Sequence, residues 1–308
     1  MRKLFAAVIT MCLFSDLLIA QDKTIQEMQN TSNRALVDDT THKAGWKFGA
    51  LFNLGVAQGS SKNWVAGAEK FSLSLNGYAN FTAILKKGRH KWANNLDLFY
   101  ALVNTTSQGI RKNDDRIDFY SKYTYQLKPK WAAGIVGNLR TQFADGYNYN
   151  ETPQKRTSDF FAPAYITVAP GIDYKPWPYL ALFLSPTAGK WTVVANHPFE
   201  LAPLYDVDPY QKVKIEFGAY FSAVFSKEVF KNVLVKSRLD LYSNYLKNPE
   251  QVDVFWTNII GMKINKYLTV TYNFDLIYDA DIKAFGPNND ESGIQLKSLL
   301  SVGFSARL

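Results

Sequence analysis

The stretch KVKIEFGAYFSAVF at residues 212–225 indicates the fold of this chain most directly. From Val213 to Phe225 every second side chain is apolar, and the positions between them are mostly polar or small. Successive side chains of a β-strand point to opposite faces, so this period of two predicts a strand with one apolar and one polar face. The stretch is also long enough for a tilted strand to cross a bilayer, which takes about 9–11 residues.

The same alternation recurs along the chain and predicts twelve strands in all. Pro163, Pro170 and Pro186 make the sixth and seventh strands less regular, and fourteen strands remain an alternative if residues 190–195 pair separately. The predicted ranges are about 46–56, 71–85, 92–102, 117–127, 131–143, 160–173, 179–187, 213–225, 233–241, 252–262, 268–278 and 296–308.

The composition favours a membrane barrel over other all-β folds. Hydrophobic residues make up 47% of the chain and aromatic residues 15%, yet the mean hydropathy is -0.19. Beyond the amino-terminal segment, no stretch approaches the ~18 consecutive apolar residues of a spanning helix. Apolar residues spread through short alternating segments are typical of a transmembrane antiparallel up-and-down β-barrel. A soluble β-sandwich would also alternate and is the competing interpretation.

The connections between the predicted strands alternate between long and short. Segments 57–68, 104–115 and 144–159 are long, whereas 86–91 and 128–130 are short. Outer-membrane barrels have short periplasmic turns and long external loops, and an even strand number places both termini in the periplasm. Four tryptophans lie at the short connections, as in an interfacial aromatic belt: Trp46, Trp92, Trp131 and Trp177.

The amino-terminal segment predicts export. Arg2 and Lys3 precede an apolar run that ends near Ala20, so we expect a cleaved signal peptide at residues 1–20. A periplasmic arm is expected at 21–45, followed by the barrel at 46–308. The single cysteine, Cys12, leaves with the signal peptide, which excludes disulfides and thiolate metal sites in the mature protein.

The carboxyl-terminal residues predict the closing strand. Ser301, Gly303, Ala306 and Leu308 fill the slots of a carboxyl-terminal signal that resembles the one of bacterial outer-membrane barrels. The expected location is the outer membrane of a Gram-negative cell. The expected partners are outer-membrane lipid, lipopolysaccharide, the barrel-assembly machinery and a small-molecule solute. Nucleic acid is not expected as a partner despite the net charge of +8, because the chain is exported.

The segment Asn63-Trp64-Val65-Ala66-Gly67-Ala68-Glu69 resembles an NWxxGGE-like motif of a Bacteroidota outer-membrane β-barrel family of unassigned function. Tyr278-Asp279 and the segment 294–297 are also similar to that family, and the resemblance spans about residues 45–308. Ala68 stands where the motif has its second glycine. The resemblance implies the fold and location, and it carries no catalytic assignment.

The sequence does not predict an enzyme, a cofactor or a metal site. His42, His90 and His197 lie in the arm, a short turn and a long loop, and no pair has metal-ligand spacing. A phospholipase-type barrel is the alternative, but it needs a serine beside a histidine on the outward face. The acidic residues of 279–291 lack the spacing of a defined calcium loop.

The barrel interior is therefore the candidate functional site. Mixed charges there can pair across the lumen and close it, or an excess of bases can make a narrow path selective for anions. Both interpretations stay open, as a structural or partner-binding barrel and as a narrow channel for small solutes. The candidate lumen-lining residues are Arg116, Lys122, Arg140, Lys212, Lys214, Glu216, Lys236, Arg238 and Asp240.

Overall fold

The computed structural model describes residues 44–60, 71–149, 153–265, 268–282 and 291–307. Within these ranges, twelve antiparallel strands form a closed barrel, as the alternation predicts. Two further short strands, β6 and β7, lie outside the barrel. In chain order the fourteen described strands are β1 (Gly45–Ser60), β2 (Phe71–Lys87), β3 (His90–Thr105), β4 (Gly109–Lys128), β5 (Trp131–Thr141), β6 (Gly146–Asn148), β7 (Lys155–Ser158), β8 (Ala164–Trp177), β9 (Leu180–Val193), β10 (Val213–Phe230), β11 (Val233–Asn244), β12 (Val252–Lys263), β13 (Leu268–Tyr278) and β14 (Gln295–Arg307).

Neighbours in the barrel follow chain order, except that β6 and β7 pair only with each other and β5 pairs with β8. The barrel closes where β14 pairs with β1, from Leu51 opposite Arg307 to Gly55 opposite Gly303. The two strands approach closely here, because a β-carbon on Gly303 would lie 2.4 Å from the carbonyl oxygen of Leu54. The predicted terminal strand is therefore part of the barrel wall.

The apolar face of the barrel points outward. Phe48 is 71% exposed, and Leu54 and Ile215 are each 68% exposed. Inward charged side chains are buried instead, with Lys122 at 6% exposure and Asp173 at 1%. A soluble sandwich or barrel would bury its apolar face, so this distribution disagrees with the soluble alternative and fits a wall that faces lipid.

The barrel has two different ends. The short-turn end carries the connections at 88–89, 129–130, 178–179 and 231–232. The long-loop end carries the connections at 142–163 and 194–212, among others. The four tryptophans named above lie at the short-turn end and contact aromatic neighbours; Trp131 stacks on Tyr174 at 4.3 Å and Trp177 on Tyr179 at 6.0 Å.

Strands β8 and β9 are irregular, and their pairing shows that the fourteen-strand alternative is wrong. Residues 190–193 are the end of β9 and pair with both β8 and β10. The register between β8 and β9 shifts between Val168 and Ile172, beside Pro170 and Pro186. Because proline has no N–H to donate, the ladder bulges there and then resumes. The prolines bend one long strand pair and do not divide it.

The long-loop end is covered by a small folded layer. It contains the β6–β7 ribbon, the short helix α1 (Pro198–Leu201) and a 3₁₀ helix (Ala202–Tyr205). No helix in the described ranges is long and apolar enough to cross a membrane. The layer has its own apolar core, formed by Ala162, Val194, Leu201, Ala202 and Val207. This part of the loop surface is thus folded around its own core and is linked to the barrel rim, for example by the pair of Asp206 with Lys214.

Candidate functional site

A group of four charged side chains crosses the middle of the lumen, and we call it the central ion network: Asp118, Arg140, Arg238 and Asp240. Arg140 Nε lies 3.0 Å from an oxygen of Asp118, and Arg238 Nε lies 2.8 Å from an oxygen of Asp240. Arg140 also pairs with Asp240, 100 residues away in sequence, and Arg238 lies 3.5 Å from Asp118. The network therefore ties β4 and β5 to β11 across the barrel.

Aromatic and polar side chains surround the central ion network. Tyr220 Oη and Ser222 Oγ donate hydrogen bonds of 2.7 and 2.8 Å to Asp240. Asn138 Nδ2 donates one of 2.7 Å to Asp118. The two guanidinium groups lie over rings, Arg238 over Tyr120 at 4.6 Å and Arg140 over Phe255 at 4.9 Å. The charges are thus compensated on several sides, which a buried ion pair requires.

A second group lies near the long-loop end, and we call it the mouth cluster: Lys190, Lys214, Glu216, Asp253 and Asp279. Lys190 Nζ lies 2.5 Å from Asp253, 3.3 Å from Asp279 and 3.7 Å from Glu216. Lys214 continues the cluster, at 3.6 Å from Glu216. Four strands, or the residue directly after a strand, supply these side chains, so the cluster joins several parts of the rim.

The mouth cluster extends into the loops through Asp206 and Asp281. Lys214 Nζ lies 3.0 Å from Asp206 and 2.6 Å from Asp281, and Lys247 donates a hydrogen bond of 2.6 Å to Asp206. Partial burial acts to raise the pKa of Asp206, but the hydrogen bonds from Lys247 and Lys214 outweigh it and hold the pKa below its ordinary value. Asp206 thus connects the folded loop layer to the barrel rim.

Further ion pairs cross or fill the lumen. Lys122 pairs with Asp173, in a region packed by the ring of Phe183. Arg116 on β4 reaches Asp275 on β13 at 3.1 Å. Lys297 on β14 reaches Asp114 near the start of β4 at 2.6 Å. These pairs join strands far apart in the chain.

Lys236 differs from the other inward bases. It lines two neighbouring interior spaces with volumes of about 70 and 50 Å³, which also share Tyr78 and Ile259. Within the described residues, Lys236 has no hydrogen bond or ion pair, although Asp97 lies near enough to influence it. Lys236 thus lies beside unfilled interior space, whereas Lys122 and Lys190 lie against carboxylates.

Eight of the nine predicted lumen residues, including Lys236, lie in the interior as described above. The ninth, Lys212, does not. Lys212 precedes β10, is exposed and has a φ of 60°. The predicted inward face includes Lys212, but the strand begins at Val213, one residue later. Of the acidic residues of 279–291, which lack calcium-loop spacing, Asp279 and Asp281 pair with lysines, and residues 283–290 lie outside the described ranges.

Sequence reasoning missed Lys190 and Asp173 as interior residues. The sequence pattern ends the predicted strand near residue 187, because Pro186 interrupts it, and so leaves Lys190 in a loop. The signal was present, since Lys190 and Thr192 are buried and alternate with Trp191. For Asp173, the irregular strand around Pro170 hid the inward register. Among the described residues, no group of three or more His, Cys, Asp or Glu could hold a metal ion.

The histidines have other partners. His90 Nδ1 lies 2.5 Å from the Tyr123 hydroxyl at the short-turn end. His197 Nε2 lies 3.3 Å from Asp159 at the long-loop end. His42 lies outside the described residues, as do Cys12, the predicted signal peptide and the 63–69 motif.

The fold and interior together define a class of protein: a closed twelve-stranded antiparallel barrel with an apolar outer face and a charged lumen. Residues 56–147 match a family described as "Protein of unknown function (DUF3078)". No curated protein matches the chain.

Solved structures with a similar fold include several outer-membrane proteins. An outer-membrane channel from Pseudomonas putida F1 has a TM-score of 0.39 and 10% identity, covering 88% of this chain and 100% of that chain. The NanC porin has a TM-score of 0.40 and 9% identity, covering 82% and 98%. Outer-membrane phospholipase A from Escherichia coli has a TM-score of 0.34 and 8% identity, covering 92% and 98%. Similarity at this level carries no argument about function, and the strand pairing itself establishes the barrel.

Proposed function

We propose that this chain is an integral barrel of a Gram-negative outer membrane whose lumen is closed at rest. The short-turn end faces the periplasm and the long-loop end faces the exterior. The support is the outward apolar face and the tryptophans at one end, which match the lipid-facing band and interfacial belt of such barrels. The resemblance to the Bacteroidota barrel family and the amino-terminal export signal favour the same location.

The proposed partners follow from this location. The outer face contacts membrane lipid, and the long loops lie among lipopolysaccharide. The carboxyl-terminal strand β14 is the segment that the barrel-assembly machinery recognises, and its pairing with β1 closes the wall. A closed wall leaves no unpaired edge in lipid, which is why this pairing is needed.

The observation that carries the closed lumen is the central ion network. Arg140 on β5 and Asp240 on β11 lie on opposing parts of the wall, and their side chains meet inside the barrel. Arg116 and Asp275 make a second connection, from β4 to β13. Such charge pairs are strongly held when removed from water, so the path for ions is interrupted where they meet.

Planar-bilayer recording tests the closed lumen. The wild-type protein should show no stable openings at moderate voltage. The variant Asp118→Asn/Arg140→Ala/Arg238→Ala/Asp240→Asn loses both the charge and the bulk of the network, and it should show discrete openings. As a control, Lys227→Met at the short-turn end should leave the wild-type behaviour unchanged. Stable wild-type openings as large as those of the quadruple variant would overturn the closed lumen.

A narrow anion-selective channel is the second candidate function, and the interior spaces beside Lys236 favour it. Arg116, Lys236 and Arg238 line the first space together with Asp97 and Asp118. In this case the wild-type protein would conduct through small openings, and Lys236→Glu would reverse or reduce their anion preference. The same recordings therefore separate the two candidates.

We propose a role without catalysis. A phospholipase would need a serine activated by a histidine on the outward face. His197 instead contacts Asp159, and His90 contacts Tyr123. Incubation of the refolded protein with phospholipid and calcium should release no fatty acid, and release that is lost in His197→Ala would contradict this proposal.

A further inference from the structure

The outer face of β2 to β5 carries a row of small side chains between two rows of large ones. The small residues lie opposite one another on neighbouring strands, and we call this row the outer trough: Ala83, Asn94, Ser121 and Gly137. On the side of the short-turn end it is bordered by Leu85, Trp92, Tyr123 and Ile135. On the other side it is bordered by Phe81, Leu96, Phe119 and Leu139.

The outer trough is large enough for part of a lipid molecule. The groove between Phe48, Phe81 and Phe119 has a volume of about 510 Å³, within the range of about 300–1,000 Å³ that is usual for ligand sites. The trough continues to Gly137, where a β-carbon would meet only the carbonyl oxygen of Ser121, at 4.0 Å.

The outer trough moves away from the short-turn end as it crosses from β2 to β5. Ala83 and Asn94 each lie five positions from the turn at 88–89, whereas Ser121 and Gly137 lie eight and seven positions from the turn at 129–130. An extended acyl chain that starts near the turn at 88–89 could therefore follow the trough into the membrane.

A hydrogen-bonded polar group lies in the trough near its lower end. Trp92 Nε1 donates a hydrogen bond of 2.9 Å to Ser121 Oγ, which donates one of 2.8 Å to Asn94 Oδ1. Asn94 Nδ2 donates one of 3.3 Å to the carbonyl oxygen of Ala83, and its second hydrogen has no acceptor among the described residues. Asn94 lies two residues beyond Trp92, about 5 Å deeper along the membrane normal for a strand of usual tilt. An unsatisfied donor in hydrocarbon is unfavourable, so a lipid ester oxygen at this depth would be its acceptor.

The turn below the outer trough is strongly basic. Strand β2 ends and β3 begins with Lys86-Lys87-Gly88-Arg89-His90-Lys91, and residues 82–94 contain no Asp or Glu. Lys87 and Arg89 are exposed, and neither side chain forms an ion pair within the described residues. The neighbouring turn between β4 and β5 adds the exposed Lys128 and Lys130. The rim beside the trough therefore attracts anionic headgroups.

We propose that the outer trough binds one anionic phospholipid of the periplasmic leaflet. Its phosphate contacts Lys87 and Arg89, an ester oxygen accepts a hydrogen bond from Asn94, and an acyl chain follows the trough toward Gly137. Lipopolysaccharide does not fit, because it lies at the long-loop end. The proposal rests on the membrane location and orientation given under the proposed function, and it does not depend on a closed lumen.

A second copy of the chain fits this face less well. Copies in one membrane have the same orientation, so a two-fold axis along the membrane normal would bring the basic turns of both copies together at one depth. Like charges that meet in an interface oppose association. A negatively charged headgroup instead compensates the turn at 88–89.

Native mass spectrometry of the full mature protein released from lipid nanodiscs tests the proposal. The nanodiscs contain phosphatidylethanolamine and a minority of phosphatidylglycerol with the same acyl chains. Wild type should retain one lipid, and the ratio of retained phosphatidylglycerol to phosphatidylethanolamine should exceed the nanodisc ratio about tenfold. Lys87→Gln/Arg89→Gln should return this ratio to that of the nanodisc. The matched control Lys227→Gln/Lys231→Gln, at the turn between β10 and β11, should behave as wild type.

Two further variants test the trough itself. Ala83→Phe fills it and should reduce the retention of both lipids about tenfold, whereas Ala223→Phe on the outward face of β10 should not. Heat-modifiable migration on a gel shows that each variant is folded. A folded wild type that retains the two lipids in the nanodisc ratio overturns the proposal, and so does equal retention in wild type and Ala83→Phe. A dimer without retained lipid that Ala83→Phe dissociates would assign the trough to a second copy and overturn it as well. Failure of wild type to insert into nanodiscs would instead contradict the proposed membrane location.

Discussion

Two regions of the same lumen are built differently. In the packed region, aromatic and aliphatic side chains of β4 to β10 fill the interior, among them Tyr120, Val136, Phe183 and Tyr220. In the hollow region, inward side chains of β1, β2 and β11 to β14 are more often small or amidic, such as Asn53, Asn76 and Asn273. The packed region compensates each of its charges, whereas the hollow region leaves Lys236 facing space.

The difference shows that the two sides of the lumen are filled to different extents, although ion pairs such as Arg140 with Asp240 join them. Lys122 in the packed region pairs with Asp173 and lies over the Phe183 ring at 5.3 Å. Lys236 has a similar inward position on β11 but no such partner among the described residues. The same residue type thus has a buried carboxylate partner in one region and no ion-pair partner among the described residues in the other.

The largest expected effect concerns the pairing of β14 with β1, which closes the barrel on the side of the hollow region. Deleting residues 304–308 removes four of the five residue pairs between β14 and β1, from Leu54 opposite Phe304 to Leu51 opposite Arg307. We expect no closed barrel, because the unpaired edge would face lipid. Unheated and heated samples should then run at the same position on a gel, unlike wild type. If the truncated protein keeps the heat-modifiable band, the end of β14 is not needed to close the barrel.

The next effect contrasts the two lysines. Asp173→Ala leaves Lys122 buried without its counter-ion, and breaking a buried pair in this way costs about 3–5 kcal/mol. Lys236→Met removes a charge that has no partner, so the free energy of unfolding should stay equal or rise. Urea titration followed by tryptophan fluorescence measures both. Comparable losses in the two variants would mean that the hollow region is not energetically distinct.

The sequence predicts the wall of this barrel well and its interior pairs poorly. Alternation depends only on residues close in sequence. It therefore locates strands such as β10, and it predicts that Lys236 and Arg238 both point inward. Which of the two has a partner depends on strand tilt and on residues such as Asp118, which lies 120 positions away from Arg238. Alternation contains no information about which residues, distant in sequence, lie close together inside the barrel. Local irregularity has the same effect at Lys190, where Pro186 obscures the register.

A third prediction uses two inward glycines. A β-carbon on Gly218 in the packed region would lie 1.9 Å from the carbonyl oxygen of Ser243, whereas one on Gly261 in the hollow region would meet no atom within 4 Å. Gly218→Ala should therefore destabilise the barrel by about 1–3 kcal/mol through overpacking. Gly261→Ala should be neutral or add about 0.4–1 kcal/mol, because it restricts the unfolded chain. Urea titration again reports both, and a greater loss in Gly261→Ala would reverse the assignment of the two regions.

The smallest effect concerns the loop layer over the mouth, where Asp206 joins the loops to the barrel rim. Its lowered pKa means that the ionised form is favoured in the folded layer. The stabilisation is therefore fully present above the ordinary aspartate value and is lost as the pH falls through the lowered folded value, below about pH 4. Limited proteolysis with pepsin should cut within 196–212 faster as the pH falls in this range, while the barrel stays heat-modifiable. Relative to an unfolded substrate cut at the same pH, Asp206→Asn should be cut at a rate that changes less with pH than wild type, because the lysines that contact Asp206 lose this one charged partner at every pH. If the pH dependence of cutting is the same in wild type and Asp206→Asn, another group holds the layer in place.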